Sequence, residues 1–251
     1  MTEHRAGAQR GRRGSELRRA VLALRARRLP ARRARAQPRG RRLPAGGRAV
    51  NDQALLALRP DLRIIADHVA PGTRALDIGC ADGALMAALR DHARVDARGI
   101  EIDAGNVASA VARGLSVVQG DADVDLAGYP SNAFDYAILS QTLQTTRAPD
   151  KVLDELLRIG RRAFVSFPNF AYWRMRLALL WGGRMPVTSA LAESWYETPN
   201  IHHLTIDDFR AFLKERGIVT EGAWFLNGDR LTSAWAANFR AEHAVFLIRR
   251  G

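Results

Sequence analysis

The sequence of 251 residues, 47% of them hydrophobic, is long enough to enclose one substantial core, and its single cysteine, Cys80, excludes an internal disulfide and a cysteine-built zinc cage. Its formal net charge of +12 points toward nucleic acid until the distribution is read: residues 1–50 carry 16 arginines against Glu3 and Glu16, and the remainder holds 22 basic and 24 acidic residues. The part beyond residue 50 is therefore close to neutral, and a nucleic-acid partner is not expected for it.

No run approaches 18 apolar residues and the N-terminus lacks an apolar signal core, so a cytoplasmic protein with no membrane span is expected. In chain order, residues 1–50 read first as an Arg-rich extension. A like-charged block without aromatics has no apolar face to bury, so it is expected to be disordered, or translated from a misassigned start with Val50 as an alternative. The overall bias of 36 arginines against the two lysines, Lys151 and Lys214, fits GC-rich coding; a nucleic-acid-binding arm and an organellar transit segment are the competing readings of the head. Residues 51–251 form the expected domain.

Pro60 to Val69 reads as an amphipathic helix with proline in its first turn, stopped by Pro71-Gly72. Strand and helix then alternate: strand Arg74 to Ile78, helix Gly83 to Asp91, strand Ala97 to Ile102, helix Ala104 to Arg113, strand Leu115 to Gln119. Strand Phe134 to Leu139, helix Asp150 to Ile159 and strand Ala163 to Phe167 follow. Helical crossovers of about ten residues imply parallel strands with helices on both faces, a doubly wound α/β sheet. Phe170 to Trp181 is apolar, aromatic and basic, and a stretch rich in Gly, Pro and Asn runs on to Leu204. Thr205-Ile206-Asp207-Asp208 is a capping-box start for a helix ending at Gly217, and Ile218 to Phe225 and Ala244 to Ile248 complete seven strands.

The turn from the first strand into the first crossover helix reads Leu76-Asp77-Ile78-Gly79-Cys80-Ala81-Asp82-Gly83. Glycines there let backbone approach a ligand, and a helix N-terminus offers free N–H groups, yet the Gly-x-Gly-x-x-Gly of nicotinamide and flavin proteins is absent. The turn resembles the acidic-x-Gly-x-Gly-x-Gly loop of class I methyltransferases, with Ala81 at the middle glycine; a positive φ at that position would cost alanine about 1–2 kcal/mol. Glu101 closes the second strand 24 residues after Asp77, where a carboxylate can accept from both hydroxyls of a ribose. By the same resemblance Asp121 meets the adenine amino group, Ile102 and Ala122 flank the ring, and Asp77, Gly79, Cys80, Ala81 and Gly83 hold S-adenosylmethionine or S-adenosylhomocysteine. The implied architecture is Rossmann-like, with a mostly parallel seven-stranded sheet.

Further motifs are more particular: Ser140-Gln141-Thr142-Leu143-Gln144 after the fourth strand, Ser166-Phe167-Pro168-Asn169-Phe170 after the fifth, then Trp173-Arg174-Met175-Arg176 and Gly183-Arg184-Met185-Pro186-Val187-Thr188. With Trp195-Tyr196-Glu197-Thr198-Pro199-Asn200-Ile201-His202 and Thr205-Ile206-Asp207-Asp208-Phe209, the chain from about Leu58 onward resembles the methionine biosynthesis protein MetW family. That resemblance implies a methyltransferase-like protein working beside homoserine O-acyltransferase of the MetX type at the entry to methionine synthesis. It names no methyl acceptor, and methyl transfer can run on positioning alone, so a small-molecule methyltransferase is the alternative.

Adjacent His202 and His203 cannot readily aim both rings at one ion, so no metal is expected; His202 is a candidate general base against an ordinary structural histidine. Trp173, Trp181, Trp195 and Tyr196 with Arg174, Arg176 and Arg184 make the richest aromatic and arginine group outside the head, the composition of an interface or of a lid.

Overall fold

The computed structural model describes residues 55–188, 191 and 193–251; the expected extension over residues 1–50 lies outside them. Helix α1 (Pro60–His68) precedes an alternation of β1 (Arg74–Ile78), α2 (Ala84–Ala93), β2 (Asp96–Glu101), α3 (Ala104–Ala112), β3 (Ser116–Gln119), β4 (Phe134–Ser140), α4 (Pro149–Ile159) and β5 (Gly160–Pro168). The second half contributes α5 (Trp173–Gly182), α6 (Ile206–Glu215), β6 (Val219–Asn227), β7 (Arg230–Thr232), α7 (Ala237–Arg240) and β8 (His243–Arg249). The sheet order is β3-β2-β1-β4-β5-β8-β6-β7.

Four of the strand pairings are parallel and three antiparallel. The strand order reverses between β1 and β4, which opens a crevice at their carboxyl ends, the place where open α/β sheets bind ligands. Among the described residues the sheet has eight strands where seven were expected. The additional β7 pairs with the end of β6 across the two-residue turn Gly228-Asp229, in the register Asn227↔Arg230.

Period-two alternation assigns each strand residue to a face. Leu76, Ile78, Ala137, Leu139, Val165 and Phe167 pack with Leu153 and Leu156 of α4 and Phe209 of α6. Ala75, Tyr136, Ile138 and Phe164 pack on the opposite face with Ile64 and Ile65 of α1 and Leu85 and Leu89 of α2. The same parity points Asp77, Ser140 and Ser166 to the α1 side, where polar residues at the strand ends meet the first helix.

Helix α6 begins at the expected capping box: Thr205 Oγ1 accepts from the Asp208 N–H at 3.1 Å, and Asp208 Oδ2 accepts from the Thr205 N–H at 3.1 Å. Buried Asn169, just beyond β5, joins three segments. Its Nδ2 donates to the carbonyls of Asn238 (3.0 Å) and Ala241 (2.8 Å), and its Oδ1 accepts from the N–H groups of Ala171 (3.2 Å) and Ile206 (3.3 Å). No helix among the described residues is long and apolar enough to cross a membrane.

Candidate functional site

The turn after β1 is shaped by three left-handed residues, Gly79 (φ 70°), Ala81 (φ 48°) and Gly83 (φ 78°), so the alanine occupies the strained position that the sequence identified. The N–H groups of Gly79 (2.8 Å) and Cys80 (3.3 Å) both donate to the Ile100 carbonyl, tying the turn to β2. Glycine is required at 79 on a second count, because a Cβ there would fall 2.9 Å from Cγ2 of Thr142. Gly83 caps α2.

Glu101 is buried at the end of β2. Its Oε2 accepts from the Ala81 N–H at 2.8 Å and its Oε1 from the Asp103 N–H at 2.9 Å, so the carboxylate braces the turn while each oxygen keeps a second acceptor direction. Asp103 in turn caps α3 by accepting from the Asn106 N–H at 2.8 Å. Half-buried Asp121 lies in a compact acidic turn, where Asp125 accepts from its N–H at 2.7 Å and its own Oδ1 accepts from the Asp123 N–H at 2.9 Å.

Two chambers meet at Gly79. One, of about 350 Å³, is lined by Ile100, Ile102, Asp121, Ala122, Asp123, Thr142, Arg147 and Ile201. The other, of about 210 Å³, is lined by Arg59, Leu62, Asp77, Ala81 and Ser140. Of the expected cofactor residues, the structure therefore brings Gly79, Ile102, Asp121 and Ala122 to the first chamber and Asp77, Gly79, Cys80 and Ala81 to the second. Burial pushes the Asp77 carboxyl up to about 7, with Arg59 opposing and Glu101 adding to the rise. Burial, Asp77 and Glu101 push the Cys80 thiol up to about 12, which favours the neutral thiol, and its side chain packs beside Met86 and Ala110.

Sequence reasoning missed Arg59 and Asp61. Asp61 is buried on the same helical stripe as Ile64 and Ile65, and its Oδ2 accepts from Ser166 (2.8 Å), Ser140 (2.9 Å), Arg59 Nη2 (3.2 Å) and Gln141 Nε2 (3.4 Å). Arg59 Nε donates to the other oxygen at 3.2 Å, and Nη2 also donates to Ser140 at 2.9 Å. Burial favours a neutral Asp61, but the Arg59 charge and the Ser166 and Ser140 hydroxyls outweigh it and hold the carboxyl below its ordinary value. Ser140 and Ser166 are register partners on β4 and β5. A carboxylate on an apolar helical stripe, with two serines at equivalent strand ends, is the signal that was available.

His202 is exposed; its backbone N–H, with that of Ile201, donates to the Gln144 carbonyl and fixes the loop beside the first chamber. His203 stacks on Phe170 with ring centres 4.8 Å apart. Among the described residues no group of histidine, cysteine and acidic side chains is arranged to hold a metal ion.

The aromatic and arginine group divides in two. At the start of α5, Arg174 lies over the Trp173 ring, Arg176 donates to the Ala171 carbonyl and lies over Phe239, and Met175 is buried with Tyr172 and Leu191. Beyond it, Trp181 is 77% exposed, and Trp195 (75%) and Tyr196 (70%) pack edge to face on each other; Arg184 is exposed as well.

The family model of the methionine biosynthesis protein MetW matches residues 59–248. The bifunctional methionine biosynthesis protein MetXA/MetW of Rhodopirellula baltica is 32% identical over 207 residues, which cover 78% of this chain and 33% of that protein, so the chain spans about a third of the relative's length. Among solved structures, an S-adenosylmethionine-dependent methyltransferase from Thermotoga maritima, a possible histamine N-methyltransferase, superposes with a TM-score of 0.54 at 15% identity, covering 79% of this chain and 89% of its own. Another, from Mesorhizobium loti, gives 0.55 at 19% identity over 76% and 96%. At these identities the likeness establishes the fold, the Rossmann-like class I methyltransferase type.

Proposed function

The chain belongs to the methionine biosynthesis protein MetW family, and from that premise we propose that it acts in the cytoplasm as a partner of the MetX-type homoserine O-acyltransferase, with S-adenosylmethionine or S-adenosylhomocysteine held in the cleft around Gly79. The observation that carries the partnership is the relative whose name joins MetXA and MetW in one polypeptide. Fusion keeps two units at high effective concentration, an arrangement that suits proteins that work together. The cofactor reading is supported by Glu101, a buried carboxylate with an acceptor direction left on each oxygen, whose chain neighbours Ile100 and Ile102 line the first chamber and whose hydrogen-bond partner Ala81 lines the second.

The partner surface in this reading includes Trp181, Trp195, Tyr196 and Arg184, large side chains that the described fold leaves exposed. Trp173, Arg174 and Arg176 set the base of α5 from which that surface projects. Methyl transfer to a small acceptor is the second reading; the observation in its favour is that Ile201, the chain neighbour of His202, lines the chamber.

The test is co-purification of the full-length protein with the acyltransferase, joined to an assay of homoserine acylation. Stoichiometric co-elution and a changed acylation rate are expected. Trp181→Ser and Trp195→Ser together should weaken co-elution and leave the melting temperature unchanged. Separate elution with an unchanged rate, alongside methyl-group turnover in a metabolite extract, would replace the first reading with the second.

A further inference from the structure

We propose that the void under the connection from β3 to β4, at the amino ends of the strands, is a second binding site, one that takes a flat aromatic monoanion. It stands apart from the cleft around Gly79 and rests on none of the readings above.

The sequence makes this void by leaving a helix out. The crossovers from β1 to β2, from β2 to β3 and from β4 to β5 run through α2, α3 and α4, whereas the connection from β3 to β4 holds only the single 3-10 turn Asp125–Gly128. One turn is too short to cover the width of two strands. Register places Arg98 and Ser116 beside Leu76, and Val118 beside Ile100, on the face that α4 covers further along the sheet, and all three are exposed. The void measures about 510 Å³, within the span of about 300–1,000 Å³ usual for small-molecule sites. It shares no lining residue with either chamber at Gly79.

Its walls suit a flat ring. The rings of Tyr129 and Phe134 stand 6.3 Å apart and 54° tilted, and Val117, Pro130 and Ala133 extend the apolar surface. The Tyr129 carbonyl accepts from Nη1 of Arg158 at 2.6 Å, so the backbone that carries this ring is held in place. A planar ligand can lie offset against such a pair.

Its rim suits an anion. Arg74, Arg98 and Asp96 line the same void, two cations against one acid. Arg98 meets Asp96 at 3.6 Å with both side chains more than half exposed, a contact weak enough for a ligand to replace. Arg74 makes no ion pair among the described residues, and neither the Ser116 nor the Tyr129 hydroxyl makes a hydrogen bond among them. Burial and Asp125 raise the Tyr129 hydroxyl above its ordinary value while Arg98 opposes them, so the cation and the ring face one another across the void. One carboxylate or sulfonate balances the surplus charge, with two hydroxyls at hand to donate to its oxygens.

The experiment uses two fluorescent probes with the same rings: the anion 8-anilinonaphthalene-1-sulfonate and uncharged N-phenyl-1-naphthylamine, titrated into the full-length protein. Saturable binding of the sulfonate is expected. Arg98→Met, a change of an exposed side chain, should weaken the sulfonate by about 3- to 10-fold and alter the uncharged probe by less than about twofold. Arg98→Lys should recover part of the loss. Tyr129→Leu should weaken both probes by about 2- to 10-fold, as expected for losing an aromatic contact. Absence of saturable binding, or equal sulfonate affinity in the wild type and Arg98→Met, overturns the inference. Displacement of the sulfonate by S-adenosylhomocysteine places the probe in the Gly79 cleft and overturns it too. So does a dimer in sedimentation whose formation excludes the probe, which gives the face to a second copy of the chain.

Discussion

The backbone N–H of Ala81 donates to Oε2 of Glu101 at 2.8 Å, so the carboxylate proposed to meet a ribose holds the strained residue of the turn in place. Ala81 is exposed, so its methyl group gains little by packing. Ala81→Gly should therefore release a strain of about 1–2 kcal/mol and lose about 0.4–1 kcal/mol to the freer unfolded chain, a net stabilisation of up to about 1.6 kcal/mol. Urea unfolding measures it; a lower midpoint would contradict the strain.

Glu101 carries both tasks, and its loss should be felt in both. Glu101→Ala is expected to weaken S-adenosylhomocysteine by about 2–4 kcal/mol, because charge-assisted bonds to two hydroxyls disappear and the turn loses its brace. Calorimetry on a variant with wild-type circular dichroism is the measurement. Wild-type affinity would place the ribose elsewhere.

Asp77 makes stability depend on pH. Its folded-state value of about 7 lies above the ordinary 3.8, so the folded protein holds a proton that the unfolded chain has released, and stability falls as pH rises from about 4 to about 7 before levelling. Asp61 acts in the opposite sense: its carboxyl lies below 3.8, and its contribution is present above that value and lost as pH falls through the lower one. Asp77→Asn should flatten the fall between pH 4 and 7 and raise stability at pH 8, by on the order of 4 kcal/mol as an upper bound. The same variant should bind S-adenosylhomocysteine more weakly. Melting curves across pH that keep the wild-type slope would remove Asp77 as its source.

Asn169 is the structural counterpart of these site residues. Asn169→Ala strips partners from two carbonyls and two N–H groups in a buried setting, and an expected loss of about 3–5 kcal/mol follows. Because the bonds gather the starts of α5 and α6 and the end of α7, hydrogen exchange should accelerate in those segments first. Uniform acceleration would mean that the residue only contributes global stability.

Much of the first half was legible because local signals and the fold agree there. Strand and helix alternate at regular spacing from Arg74 to Phe167, glycines stand at the turn, and Thr205 to Asp208 announces a helix start that the structure realises bond for bond. The misses have separate causes. Helix α5 is apolar on several sides and shows no period, because its far half is not packed on the described core. Strand β7 has only three residues, though Gly228-Asp229 is a hairpin signal. Arg59 and Asp61 were missed because their partners Ser140 and Ser166 lie 79 to 105 residues away, and no local pattern reports a contact of that separation.

The place of β8 between β5 and β6 sets an order on assembly. Strands β1 to β5 each find a neighbour among strands already synthesised or next in line, so that half of the sheet can zip up as the chain emerges from the ribosome. Strand β6 has only β7 to pair with until β8 arrives from further along the chain, and β5 keeps a bare edge for the same interval. A nascent chain stalled before His243 would display that edge, rich in Val165, Phe164 and Phe167, to any passing strand. The last strand is thus both the keystone of the antiparallel half and the shield of the parallel half.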